Sequence, residues 1–398
     1  MEAIKSAISR YLAKTHLVFN YPNHNIILSM ISFSEMFSKS LTLLAILLTL
    51  TLSSTAQDKK SKELDKFIAA GMADWQIPGL AVTVVQDGKT LFTKVYGVKN
   101  QNKADKVDEN TIFCMASTTK AVVAIAMAML VDEGKIKWTD KVIDHVPYFQ
   151  LADAHVTREA TIKDLLTHNL GLGNADLLWF GDELDAQETI KRMKYSPAAY
   201  SLRSSFIYQN IMYSVAGEVI KSASGMEWND FIQKRILDPL KMTDTKLVSR
   251  EVLATDNKVA PHYNVDKERK VIPITFSDGI GPAGMMWSSI KDMNIYMKFL
   301  SQDAIYEGDT LVKPATFEYL FKPHTLIPQS SFYPTSRITN PNWTSYGLGW
   351  FQHDFKGEKV DFHTGSLPGL IAINGQLRSK ELSVYVIANM DHAELRHA

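Results

Sequence analysis

Ser117-Thr118-Thr119-Lys120 runs directly into an apolar segment, Ala121 to Val131, that contains no charge, glycine or proline. Such a segment is typical of a helix that is buried on all sides. If the helix begins at the serine, Ser117 and Lys120 lie three positions apart on one face, where side chains can touch. A serine hydroxyl needs a base to become a good nucleophile, and a desolvated lysine can be that base. The stretch therefore predicts a buried helix carrying a nucleophile and its base.

The same four-residue pattern occurs a second time, at Ser288-Ser289-Ile290-Lys291. A pattern this short arises by chance in a chain of this length, so on its own it leaves Ser117 open as an ordinary helix residue. Only the first copy opens an uncharged apolar run, and a rigid helix is what a catalytic pair needs. We interpret Ser288 as the start of a structural helix.

Composition bounds the class of protein. The chain has 398 residues, 45% of them apolar and 22% charged, which is ordinary for one large or two smaller globular domains. Its 43 basic and 43 acidic residues give a formal net charge of zero. The balance disfavours nucleic acid or an anionic membrane surface as the main partner. The single cysteine, Cys114, excludes an internal disulfide and is interpreted as a small packing residue.

The N-terminal region has the features of a secretory signal peptide over residues 36–56. A basic lead, Met36 to Lys39, precedes an apolar stretch, Ser40 to Leu52, and small residues end at Ala56. The apolar stretch is shorter than the roughly twenty residues that span a bilayer, so a stable membrane span is not expected. We expect a secreted or periplasmic protein cleaved near Ala56. Residues 1–35 are interpreted as a doubtful extension, with Met36 as the alternative start.

Periodicity predicts a sheet interrupted by helices. Two strands, Leu80 to Gln86 and Thr90 to Val95, are joined by an Asp-Gly turn, which is typical of a hairpin. Strand patterns return near the C-terminus, and helical patterns lie between. The predicted later strands are Gly349 to Asp354, Lys359 to His363, Leu370 to Arg378 and Leu382 to Asn389; the predicted helices are Lys59 to Trp75, Ile162 to Leu166, Ala186 to Met193, Met212 to Ser222, Trp228 to Ile236 and Ile290 to Leu300.

These patterns predict an α+β fold over 57–398, with an antiparallel sheet flanked by helices plus a helical domain. Residues 57–115 and 302–398 would form the α/β part, and 116–301 the mainly helical part. Gly279 to Gly284 matches a dinucleotide-binding pattern, but no βαβ unit surrounds it, so we interpret it as a flexible turn. The eleven histidines show no metal-ligand spacing. We expect neither a metal nor a cofactor.

Two further motifs follow Ser117 in order: Tyr208-Gln209-Asn210, and His363-Thr364-Gly365 at the end of a predicted strand. With S-x-x-K they resemble the three signatures of serine hydrolases related to class C β-lactamases and penicillin-binding proteins. The resemblance extends from about Asp65 to Asp391. Four shorter sequence segments support the resemblance: Leu130 to Lys135, Leu165 to His168 followed by Gly171-Leu172, Tyr346 to Trp350, and Gly365 to Gly369.

The resemblance implies a β-lactamase/transpeptidase-like fold with the active site between the sheet and the helical domain. Ser117 would attack a carbonyl to form an acyl-enzyme. Lys120 and Tyr208 would share the proton that leaves the hydroxyl. Asn210 would orient Lys120 and offer its amide to the substrate.

The third motif would form the substrate-binding wall of His363, Thr364, Gly365 and Ser366. The backbone N–H groups of Ser117 and Ser366 would form the oxyanion hole. True β-lactamases of this type carry lysine where this chain has His363, and relatives with histidine resemble esterases, amidases or D-amino-acid peptidases. We expect the imidazole to gain a proton as pH falls toward 6 and then to favour anionic substrates. Residues 391–398 look like the start of a C-terminal helix that is truncated.

The sequence thus predicts a secreted serine hydrolase that acts on an ester or amide carbonyl of a small molecule or peptide. Two alternatives stay open. One is a penicillin-binding sensor that is acylated at Ser117 and barely turns over, because the same nucleophile serves both roles. The other is a true class C-type β-lactamase. The oligomeric state is not predicted.

Overall fold

The computed structural model of the chain describes residues 59–179, 184–331 and 340–397. The chain divides into two compact units, Met1–Glu63 and Leu64–Ala398. Of the first unit only residues 59–63 are described, and they are helical. The predicted extension over 1–35 and the predicted signal peptide over 36–56 lie outside the described residues. The division of the remainder at 116–301 stays a prediction.

An eight-stranded antiparallel sheet forms the framework of the Leu64–Ala398 unit, in the order β2-β1-β14-β13-β12-β11-β10-β9. The first hairpin lies beside the last strand, with Leu80 opposite Ala388. The predicted sheet is therefore confirmed. The strands are β1 (Gly79–Gln86), β2 (Lys89–Gly97), β3 (Ile112–Cys114), β4 (His262–Val265), β5 (Glu268–Val271), β6 (Trp287–Ser289), β7 (Ile305–Tyr306), β8 (Asp309–Thr310), β9 (Thr325–Leu326), β10 (Thr344–Tyr346), β11 (Phe351–Phe355), β12 (Glu358–Leu367), β13 (Leu370–Leu377) and β14 (Leu382–Ala388).

Most helices lie between β3 and β9 in the chain, as the periodicity predicts. They are α1 (64–74), α2 (Thr119–Asp132), α3 (Val142–His145), α4 (Ala154–Glu159), α5 (Ile162–Thr167), α6 (Ala186–Arg192), α7 (Ile211–Ser224), α8 (Trp228–Ile232), α9 (Asp238–Leu240), α10 (Ser249–Leu253), α11 (Gly281–Gly284), α12 (Ile290–Ser301) and α13 (Pro314–Leu320). A π-helical turn, Gln233–Leu237, follows α8. Within the described ranges, none of the helices combines the length and apolar composition needed to cross a bilayer.

The predicted central helix, α2, is buried on all sides. Every residue from Thr119 to Leu130 is buried, and α2 packs against α7, α8, α11 and α13. A helix with no exposed face needs no polar stripe, which explains its unbroken apolar sequence. Ser117 itself lies just before α2, in a 3-10 turn over Ala116–Thr118. The nucleophile candidate thus lies at the start of a fully enclosed helix.

Two motifs set aside in the sequence have structural roles. Gly281–Gly284 is the buried helix α11, so the prediction of a flexible turn there is wrong. In the second S-x-x-K copy, Ser289 caps α12 by accepting from the Asp292 backbone, as expected for a helix start. Ser288 bonds to the Thr245 hydroxyl at 2.8 Å, while Lys291 pairs with Asp244. The second copy therefore has no serine–lysine contact resembling that of the first.

Candidate active site

The nucleophile turn has an unusual backbone. Ala116, directly before Ser117, has a φ of 45°. Residues other than glycine seldom adopt this left-handed region, and where they do the surrounding structure must hold them. The turn is held at Met115, whose backbone N–H donates to the Met286 carbonyl at 2.8 Å. This geometry brings the Ser117 side chain to the wall of a pocket.

Lys120 lies directly behind Ser117 and is completely buried. Its Nζ atom is 3.0 Å from Ser117 Oγ, 2.8 Å from Asn210 Oδ1 and 2.6 Å from the Ala283 carbonyl oxygen. Desolvation lowers the pKa of Lys120 well below its ordinary value, and the nearby carboxylate of Asp176 opposes this shift. The geometry and the burial together favour a neutral amine beside the serine.

The three partners of Lys120 also determine where its lone pair points. The oxygens of Asn210 and Ala283 can only accept hydrogen bonds. A neutral amine has two hydrogens, so donating to both carbonyl oxygens leaves the lone pair for the third partner. That partner is the hydroxyl of Ser117, which can donate its proton. In the neutral form, the lone pair of Lys120 therefore faces the Ser117 hydroxyl.

Asn210 is held in one orientation by Asp176. The amide nitrogen of Asn210 donates to Asp176 Oδ1 at 3.1 Å, and the indole of Trp179 donates to the same oxygen at 3.0 Å. The amide oxygen is thereby directed to Lys120, as expected for an orienting residue. One of the two amide hydrogens is taken by Asp176, so Asn210 keeps only the other for a substrate.

Tyr208 lies beside Lys120 on the pocket wall. The Lys120 nitrogen is 4.9 Å from the centre of the Tyr208 ring. The ring stacks on Phe351, with centroids 6.1 Å apart, and contacts His168, with centroids 4.4 Å apart. The tyrosine is thus fixed next to the predicted base, within the same pocket as the serine.

His363 lies on β12 and is buried, although its ring contributes to the pocket wall. Its Nε2 atom is 2.9 Å from the Tyr346 hydroxyl and its Nδ1 atom is 2.7 Å from the Thr364 carbonyl oxygen. Desolvation, with a contribution from Lys120, lowers the pKa of His363 to about 3. The expectation that this imidazole gains a proton as pH falls toward 6 is therefore wrong, because burial outweighs its ordinary basicity.

Gly365 places β12 against the nucleophile turn. A Cβ atom on Gly365 would lie 2.5 Å from the Met115 carbonyl oxygen and 2.9 Å from the Ser117 nitrogen. Only glycine permits so close an approach. The next residue, Ser366, is exposed on the pocket wall, and Arg396 donates to its hydroxyl at 2.7 Å. The oxyanion hole expected from the backbone N–H groups of Ser117 and Ser366 stays a prediction.

The pocket has a volume of about 330 Å³. It brings together six of the eight predicted site residues, with Lys120 behind the wall and Gly365 against the turn. Among the lining residues that the structure describes, Asp176 alone carries a formal charge. Those residues are Ser117, Asp176, Phe206, Tyr208, Asn210, Ser331, Phe351, His363, Thr364 and Ser366. The described ranges contain no grouping of His, Cys, Asp or Glu suited to a metal ion.

The sequence of the chain matches the model of the Beta-lactamase family over residues 64–398. It belongs to the beta-lactamase family. The resemblance and the fold class predicted from the sequence are thereby confirmed. Proteins of the beta-lactamase family are generally serine hydrolases, which is consistent with the arrangement of Ser117 and Lys120.

Two curated proteins are similar in sequence to this chain. The chain is 27% identical to "Unguisins hydrolase ungD" of Aspergillus violaceofuscus, over 84% of this chain and 63% of that protein. It is 25% identical to "Protein flp" of Staphylococcus aureus, over 83% of this chain and 63% of that protein. The chain therefore spans less than two thirds of the length of these relatives.

A solved structure shares the beta-lactamase-family fold. The octameric penicillin-binding protein homologue from Pyrococcus abyssi superposes with a TM-score of 0.72 at 25% sequence identity. The match covers 84% of this chain and 75% of the Pyrococcus abyssi chain.

Four residues around this beta-lactamase-family site were not singled out from the sequence. His168 and Tyr346 occur in the short sequence segments that support the resemblance, and nothing else in the sequence pointed to these two residues. Asp176 and Ala283 have no signal at all. Ala283 is distant in sequence from Lys120 and contributes a backbone carbonyl, which any residue type could supply. Such contacts become visible only in the folded chain.

Proposed function

We propose that the protein is a serine hydrolase that cleaves ester or amide carbonyls through an acyl-enzyme on Ser117. The observation that carries the proposal is the 3.0 Å contact between Ser117 Oγ and the buried Lys120 nitrogen, whose other two partners can only accept. A lysine held neutral in this way is a general base at physiological pH.

In the first half-reaction the Ser117 oxygen bonds to the substrate carbonyl carbon while its proton passes to Lys120. The bond from that carbon to the alcohol or amine then breaks, and the leaving group takes the proton back through Lys120 or Tyr208. In the second half-reaction water bonds to the acyl carbon and loses a proton to the same pair. The bond from that carbon to Ser117 Oγ then breaks, the serine oxygen takes the proton, and the acid leaves. Asn210 keeps Lys120 aligned throughout, because its own amide is fixed by Asp176.

The charge of the pocket favours neutral acyl groups. His363 is uncharged, and Asp176 contributes a negative charge to the described wall. A substrate carboxylate would be repelled by Asp176. It would also lack the attraction that a cation in place of His363 would supply, which is worth up to about 4 kcal/mol at 4 Å in a medium of dielectric 20 before desolvation. We therefore favour an esterase or D-amino-acid peptidase-like activity over β-lactam hydrolysis. The word hydrolase in one relative's name is in keeping with a hydrolase, whichever of these substrates it takes.

A matched substrate series tests the proposal. It would contain a neutral activated ester, the same ester with a carboxylate on the acyl chain, benzylpenicillin and a D-Ala-D-Ala peptide. We expect steady-state turnover of the neutral ester that Ser117→Ala abolishes and Ser288→Ala preserves. A single burst of product without further turnover would instead indicate a sensor that is acylated and deacylates slowly. Preference for benzylpenicillin over the neutral ester would instead indicate a class C-type β-lactamase.

We also propose that the protein is exported and cleaved near Ala56. The basic lead and short apolar stretch of residues 36–56 support this. Expression of the whole chain in a bacterial host, followed by N-terminal sequencing of the periplasmic fraction, should give a product beginning near Gln57. A cytoplasmic product that retains residues 1–35 would contradict the proposal.

A further inference from the structure

Three buried rings form a hydrogen-bonded chain behind the pocket wall. The Tyr346 hydroxyl lies 3.2 Å from His168 Nε2 and 2.9 Å from His363 Nε2. All three side chains have at most 1% of their surface exposed. His363 is the only member that lines the pocket. The proposed reaction assigns no role to His168 or Tyr346.

When both imidazoles are neutral, the two ends of this hydrogen-bonded chain determine the direction of every hydrogen bond in it. The Gln209 backbone N–H donates to His168 Nδ1 at 3.1 Å, so Nδ1 is unprotonated and neutral His168 carries its hydrogen on Nε2. At the other end His363 Nδ1 is 2.7 Å from the Thr364 carbonyl, which can only accept, so Nδ1 carries a hydrogen. Tyr346 then accepts from His168 and donates to His363.

One other arrangement satisfies the same ends. If His363 were protonated on both nitrogens, Tyr346 would accept from both imidazoles and turn its own hydrogen toward the neighbouring Tyr213 hydroxyl. That arrangement places a buried cation close to Lys120. The titratable groups around His363 are Lys120, Tyr208, Tyr346 and, through Tyr346, His168. None of them is a carboxylate that would stabilise the cation, and desolvation lowers the pKa of His363 to about 3.

We propose that His168 and Tyr346 are positioning residues that hold His363 as the neutral Nδ1–H tautomer, with both of its nitrogens occupied. This inference rests on the proposed hydrolase function of the same pocket. The ring of His363 then presents to the substrate neither a charge nor an N–H donor. The same chain of hydrogen bonds also holds the Thr364 carbonyl, and the next residue, Gly365, contacts the nucleophile turn. Selection against anionic substrates therefore persists at pH 6.

The tautomers can be read directly by NMR. Long-range proton–nitrogen correlation on the 15N-histidine-labelled protein, assigned with His168→Asn and His363→Gln variants, distinguishes the two nitrogen protonation states. We expect His168 as the Nε2–H form and His363 as the rarer Nδ1–H form, both unchanged from pH 5.5 to 8.5. An Nε2–H signal for His363, or its titration within that range, would overturn the proposal. Because this spectrum needs no substrate, it decides the hydrogen-bond chain even if no hydrolase activity is found.

A variant tests the positioning role. Tyr346→Phe keeps the ring, which packs against Phe206 and Phe351, and removes only the hydroxyl. We expect kcat for the neutral ester to fall about tenfold, the value of one buried hydrogen bond, with KM within about twofold because Tyr346 does not line the pocket. In this variant the NMR spectrum of His363 should show a mixture of the two neutral tautomers instead of one. Tyr296→Phe is the matched control, since the Tyr296 hydroxyl is buried and has no hydrogen-bond partner among the residues that the structure describes.

An unchanged kcat in folded Tyr346→Phe, or a loss confined to KM, would show that the tyrosine does not position His363. If Tyr346→Phe fails to fold, the wild-type spectrum still decides the tautomers. His168→Asn then supplies the kinetic test, because asparagine tolerates the left-handed backbone of His168, where φ is 56°. It removes the donor to Tyr346 and should also lower kcat rather than raise KM.

Discussion

Asn210 donates to Asp176, its amide nitrogen 3.1 Å from the carboxylate oxygen, while its amide oxygen accepts from Lys120 at 2.8 Å. A single side chain thus couples a charged group of the pocket to the predicted base. Asp176 also favours the protonated form of Lys120 electrostatically, against the larger effect of burial. The carboxylate can therefore influence both the alignment and the proton affinity of the base.

Removing the charge of Asp176 should shift the pH profile. In Asp176→Asn the protonated form of Lys120 loses a stabilising anion, so the pKa of Lys120 falls further. The neutral base is then present at lower pH, and the acid limb of kcat/KM should move down by about half to one unit. Exposed Asp309→Asn, outside the pocket, is the control. If the acid limb of the kcat/KM profile moved to higher pH instead, a group other than Lys120 would be responsible for it.

The same substitution should change substrate preference. Asp176→Asn removes the only formal charge on the described pocket wall. We expect the ratio of kcat/KM for a carboxylate-bearing ester to that for its neutral counterpart to rise about threefold to tenfold. The ratio is the quantity to measure, because disturbance of Asn210 slows both substrates alike. A constant ratio would place the substrate's acyl chain away from Asp176.

Gly365 should tolerate no side chain. In Gly365→Ala the new Cβ meets the Met115 carbonyl and the Ser117 backbone nitrogen, so either β12 or the nucleophile turn must move. We expect kcat/KM to fall at least about a hundredfold, with a smaller change in thermal stability. Gly375→Ala on the adjacent strand β13 is a matched control, since no atom of the described ranges lies within 4 Å of its Cβ position. Equal activity of the two variants would refute the proposed approach of β12 to the serine.

Burial of histidines should make stability depend on pH. His168 and His363 have a pKa below the ordinary value of 6.5 in the folded chain. Below pH 6.5 the unfolded chain binds protons that the folded chain does not, so the contribution of both histidines to stability is complete above pH 6.5 and falls at lower pH. For His363 it is lost as pH falls toward 3. Each group contributes a slope of up to about 1.4 kcal/mol per pH unit.

Urea unfolding of wild type, His168→Asn and the exposed-site control His155→Asn between pH 7.5 and 5 measures this slope. His168→Asn should reduce it by up to about 1.4 kcal/mol per pH unit, and His155→Asn should leave it nearly unchanged. If His168→Asn retains the full slope, His168 is already charged in the folded protein.

Local features of the fold could be predicted from the sequence because their causes are local. The apolar run after Lys120 indicated a buried helix, and the structure places α2 at Thr119–Asp132 with almost no exposed residue. The Asp-Gly turn indicated the first hairpin, which extends over β1 and β2. The pairing of β1 with β14, by contrast, joins the two ends of the unit. The strand patterns placed the first and last strands in one sheet, but they did not indicate which strands pair.

The site shows the same distinction. Ser117 and Lys120 are three residues apart, so helix geometry alone brings them together. The Ala283 carbonyl and the Asp176 carboxylate reach Lys120 and Asn210 through tertiary packing, which no periodicity reports. The proton affinity of His363 was mispredicted for the same reason, because it depends on desolvation that a strand pattern does not quantify.

The proposed role of Ser117 can be measured by mass spectrometry of the protein quenched during turnover of a neutral activated ester. We predict one acyl group per chain, mapped to the peptide that contains Ser117, absent from Ser117→Ala and still present in Ser288→Ala. An acyl group on Ser288, or undiminished hydrolysis by Ser117→Ala, would contradict the proposed mechanism.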